Sequence, residues 1–104
     1  MGKYKVVVTV PVSHANMVRE AIGQAGGGRV GNYSFCSFSV RGVGRFKPNE
    51  HARPFVGGTG LLEEVEEERI EVTCDAAELD AVVAAIKRVH PYEEVVLDVY
   101  ELNS

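Results

Sequence analysis

Two stretches of helical periodicity, each set between runs of period two, constrain this chain more than any other feature. Val18, Ala21, Ile22 and Ala25 are spaced i, i+3, i+4, i+7; Leu79, Val82, Val83, Ile86 and Val89 form a second stripe. Stripes at that spacing bury one side of an α-helix. Before the first, Tyr4, Val6, Val8 and Val10 alternate with Lys5, Val7 and Thr9, the pattern of a β-strand ended by Pro11. Ser13 is the expected N-cap of the first helix, and Gly26-Gly27-Gly28 its stop. Asp75 with Glu78 three residues on predicts a capping box for the second helix, and Pro91 forbids its continuation.

Further strands are expected from about Val30 to Arg41, from about Glu64 to Cys74 and over Val95–Leu102. The order β-α-β-β-α-β predicts an α+β, ferredoxin-like fold. Its four-stranded antiparallel sheet has the order 4-1-3-2, with both helices on one face. Residues 1–104 read as a single domain with a long irregular loop, 42–60, between strands 2 and 3. A loop of that length in so small a domain is usually functional or mobile. Strands 2 and 4 carry apolar residues on both sides, where one solvated face would alternate cleanly. A homo-oligomer covering the second face is therefore expected.

Charge excludes some classes. The net charge is −4, which argues against a general nucleic-acid partner. No apolar run approaches the ~18–20 residues needed to cross a bilayer. Val6–Val12 lacks the small-residue cleavage site of a signal peptide. The expected location is cytoplasmic, with no membrane partner. Residues 1–53 carry eight basic and two acidic side chains, hence +6; residues 54–104 carry three and thirteen, hence −10. Cys36 and Cys74 are too few for a disulfide scaffold and are expected inside strands, reduced and buried.

The chemistry-bearing patterns are few. The glycine clusters follow a helix or lack the third glycine, so they are not a nucleotide fingerprint, and no cofactor is implied. No Gly-x-Ser-x-Gly elbow or acid–base pair assembles a catalytic site. His90, Glu93 and Glu94 place an imidazole and two carboxylates within five residues. Their spacing matches no helical zinc motif, and the structural reading has His90 ending the helix. Arg41, Arg45, Lys47 and Arg53 flank Phe46 and Phe55, with only Glu50 opposing. Basic residues interleaved with aromatics can hold an anionic ligand. The competing reading pairs them with the acidic run Glu63–Glu68. Arg41, Arg45, Phe46, Lys47 and Arg53 are the candidate ligand-binding residues.

Several segments together resemble a known family: Gly31–Cys36, Gly44-Arg45-Phe46-Lys47-Pro48, Pro54-Phe55-Val56-Gly57, Glu64–Glu71 and His90-Pro91-Tyr92-Glu93-Glu94. They are similar, in that order, to the inserted domain of the YqfO-type family, also called the Ngg-one-interacting factor three family. That domain is itself similar to PII signalling proteins and to CutA. The resemblance implies a PII/CutA-like fold and a homotrimer, with a dimer as the runner-up. The two metal ions of full-length members are held by flanking segments, so the resemblance carries no metal site over. The leading functional expectation is a non-catalytic oligomeric module that binds a small molecule or a protein partner. A metal-binding or metal-dependent hydrolytic protein of the same family is the alternative, and a purely structural assembly domain is the third reading.

Overall fold

A computed structural model describes residues 2–103. Its elements are β1 (Lys3–Pro11), a 3-10 turn (Val12–His14), α1 (Ala15–Gln24), β2 (Phe38–Phe46), β3 (Glu63–Asp75), α2 (Ala76–Val89) and β4 (Leu97–Leu102). The sheet runs β2-β3-β1-β4 with every neighbouring pair antiparallel. This is the expected order read from its other edge. Val6, Val8 and Val10 of β1 and Ile70, Val72 and Cys74 of β3 join Val18 and Ile22 of α1 and Val82 and Ile86 of α2 in one buried cluster. Both helices therefore cover the same sheet face, and alternate strand residues point away from it.

The second strand lies further along the chain than its apolar content suggested. The Gly28 carbonyl accepts from the Cys36 amide at 2.9 Å, and Val30 and Tyr33 bond each other reciprocally, both at 2.9 Å. Residues between α1 and β2 satisfy one another's backbone there, so the strand begins only at Phe38. It then runs through Gly42 and Gly44 because β3 supplies the ladder, from Phe38↔Glu71 to Phe46↔Glu63. The irregular segment is thus 47–62 rather than 42–60. Cys36 falls outside any strand and is only partly buried, contrary to expectation; Cys74 is 3% exposed.

Neither expected cap forms. Ser13 lies inside the 3-10 turn, with its hydroxyl 2.8 Å from His14 Nδ1. Asp75 precedes α2, but the β1–β3 register sets it opposite Lys3, and its carboxylate takes the ammonium at 2.8 Å. An ion pair across the strands has displaced the backbone cap.

The β1 ladder on β3 ends at Pro11↔Glu67, whereas β2 follows β3 back to Glu63. The β2–β3 hairpin therefore projects as an arm. The radius of gyration is 14.5 Å and the long axis 46 Å, against about 13 Å for a compact chain of this length. Phe38, Val40 and Tyr100 remain exposed, and their strand parity puts them on the face away from the helices.

Candidate functional site

At the base of this arm lies a cavity of about 560 Å³. β2 forms one wall. Phe55 and its neighbours in the 47–62 segment form a second, and Tyr92, Glu93, Glu94 and Val96 a third. Of two glycines in the β2 wall, one opens the space and the other makes room for a carboxylate. Along β2, Phe38, Val40, Gly42, Gly44 and Phe46 alternate onto one face. A side chain at Gly42 would meet nothing within 4 Å, whereas one at Gly44 would run into the Glu67 carboxylate. Glycine inside a strand weakens it and often marks a place that something approaches closely.

Glu67 is the buried polar group of this cavity, 7% exposed. Its Oε2 accepts a 2.8 Å hydrogen bond from the Tyr92 hydroxyl. Burial first, and then this bond to a carboxylate, push the Tyr92 pKa above the usual tyrosine range. Phe46 and Phe55 lie on Tyr92 with ring centroids at 5.8 and 6.3 Å, and Phe55 also meets His14 edge-on at 5.4 Å. Tyr92 thus joins the wall to the floor.

His90 holds the Tyr92 segment in place. Its Nδ1 accepts from the Tyr92 amide at 3.1 Å, so Nε2 carries the proton and donates to the Thr9 carbonyl at 2.8 Å. Desolvation lowers the His90 pKa and keeps the ring neutral, although the Thr9 bond and Glu67 act in the other direction. Both nitrogens are committed, which leaves no lone pair for a metal. Glu93 accepts the Arg53 amide at 2.7 Å and ties the loop to the segment before β4. Among the described residues no group of three His, Cys, Asp or Glu side chains could hold a metal ion.

The structure gathers Arg41, Arg45, Phe46 and Lys47 around the cavity; Arg53 contributes its backbone to Glu93 and does not line it. Arg41 and Arg45 alternate onto the strand face opposite Gly42 and Gly44. Arg45 bonds Glu64, of the acidic run, at 2.8 Å. Sequence reasoning missed Glu67, Tyr92 and the two glycines as parts of one site. The available signal was the period-two series Phe38 to Phe46, which continues a strand through both glycines.

The fold and its projecting arm define a PII/CutA-like ferredoxin-like domain. CutA of Archaeoglobus fulgidus superposes with a TM-score of 0.68 at 12% identity, over 98% of this chain and 85% of that one. The Bacillus subtilis GlnK–ATP complex superposes at 0.67 and 15%, over 97% and 82%. In sequence the chain is a relative of the YqfO-type, NIF3-related proteins. It is 50% identical over 99 residues to the GTP cyclohydrolase 1 type 2 homolog of Halalkalibacterium halodurans, covering 95% of this chain and 27% of that protein. The crystal structure of a NIF3-related protein of Bacillus cereus matches with a TM-score of 0.85 and 48% identity, over 99% of this chain and 26% of that one. The chain spans about a quarter of the length of these relatives. No protein-family model matches it.

Proposed function

We propose that this domain is a non-catalytic, oligomeric sensor-like module that binds a small molecule in the cavity under the 47–62 segment. The observation that carries this reading is the cavity itself. Its volume of about 560 Å³ lies within the ~300–1,000 Å³ usual for small-molecule sites. Three aromatic rings wall it, and an unfilled mid-strand glycine opens it. Lys47 lines the cavity and makes no ion pair among the described residues, which leaves it available to an anionic substituent. The exposed apolar residues on the open sheet face support association of copies, with a trimer as the expected assembly and a dimer as the alternative.

Native mass spectrometry of the purified domain tests both parts. A trimer or dimer mass is expected, with excess mass from a retained small molecule that disappears in a Phe46→Ala/Phe55→Ala variant. A monomer that retains nothing from a metabolite extract would overturn the reading.

A further inference from the structure

The geometry points to a specific ligand chemistry: a flat aromatic head whose N–H-donating, amidine-like edge meets Glu67. This rests on the cavity being a small-molecule site and adds the polarity of its deepest part. Glu67 is more than nine-tenths buried, and Tyr92 is its one hydrogen-bonding partner among the described residues. An ionised carboxylate has room for about four donors, and among the described residues no cation lies within ion-pair distance of this one. Glu67 Oε1 makes no hydrogen bond among the described residues, so this end of the cavity asks for N–H groups or positive charge.

The neighbouring basic residues do not change this sign: Lys47 lines the cavity from an exposed position, and among the described residues no ion pair joins it to Glu67. Arg69, on the same β3 face, is taken by Glu71 at 2.9 Å. Arg45 is taken by Glu64 and, like Arg41, belongs to the opposite face of β2. An anion at the floor would meet a buried carboxylate with no cation beside it. The shape argues for a planar head. Phe46, Phe55 and Tyr92 offer ring surfaces, and Gly42 leaves open the strand surface against which a flat group can lie. A cation edge beside these rings gains further attraction.

The test is calorimetric titration of the domain with benzamidine, which has a flat ring and a two-nitrogen cationic edge, beside benzoate, its anionic counterpart. Benzamidine is expected to bind more tightly than benzoate. Glu67→Gln, which keeps the shape and removes the charge, should weaken benzamidine at least tenfold. Tyr92→Phe removes only the competing donor and should bind it at least as well as the parent. That variant decides the matter if the Gln variant fails to fold. Phe55→Ala, at an exposed loop position, should weaken binding several-fold. Benzoate binding better than benzamidine, or benzamidine binding unchanged by Glu67→Gln, would overturn the assigned chemistry and leave the cavity as a site. Absence of binding by either probe, in a protein that also retains no metabolite, would overturn both readings.

Discussion

The Tyr92 hydroxyl reaches from the segment before β4 to Glu67 in the middle of β3, and the 2.8 Å bond between them closes the base of the cavity. The two residues are 25 positions apart and meet because α2 returns the chain over the sheet. The carboxylate accepts a hydrogen bond from the hydroxyl, and Phe46 and Phe55 hold the ring that carries it. Removing the hydroxyl leaves a buried carboxylate without its donor. Tyr92→Phe should lower stability by about 1–3 kcal/mol, read as a lower urea midpoint at unchanged m-value.

Gly44 and Gly42 separate crowding from open space. An added Cβ at Gly44 would lie 2.3 Å from Glu67 Oε1. Gly44→Ala should therefore cost about 1–3 kcal/mol as the carboxylate is pushed off Tyr92. Gly42→Ala meets nothing and should be neutral, or stabilising by up to about 1 kcal/mol through lost chain entropy in the unfolded state. Parallel thermal melts of the two variants check the contrast. Equal effects would contradict the different surroundings of the two glycines.

His90 makes stability pH-dependent. Its folded pKa is lowered from the ordinary value of 6.5, chiefly by desolvation. The unfolded chain thus binds a proton that the folded state resists. Its contribution is fully present above the unfolded pKa. It is lost progressively as the pH falls below that value toward the lowered folded pKa. His90→Asn should flatten the stability profile over this range. At neutral pH, His90→Ala should cost about 1–3 kcal/mol, because the Thr9 carbonyl and the Tyr92 amide lose their partners. The ring's 8% exposure and its two hydrogen bonds account for this cost. Chemical denaturation between pH 5 and 8 is the measurement.

The two thiols should separate in reactivity. Cys74 is buried, and desolvation raises its pKa, with Asp75 and Glu78 adding to the shift. Cys36 is partly buried and outside the sheet. A thiol reagent should label Cys36 in the native protein and reach Cys74 only in denaturant. Native labelling of both at the denatured rate would contradict the buried position of Cys74.

The repeated element pattern and the core were legible along the chain, because they rest on local periodicity. Val6, Val8, Val10, Val18, Ile22, Val82 and Ile86 were marked by spacing alone, and all are buried. The site was only half legible. Aromatic and basic residues near the middle loop stood out by composition. Their orientations did not, since a strand sends Arg41 and Arg45 one way and Gly42 and Gly44 the other.

By itself the sequence determined the order of elements, the helix-facing residues and the PII/CutA-like resemblance, because periodicity and short motifs are properties of neighbours in the chain. Only the tertiary structure decided where β2 begins, that Asp75 turns to Lys3 instead of capping α2, and that Glu67, Tyr92, His90 and Thr9 form one assembly. Each of these depends on a partner distant in sequence. Two groups that can satisfy their hydrogen bonds in several ways are resolved only when the sheet register brings one partner within about 3 Å and leaves the others out of reach.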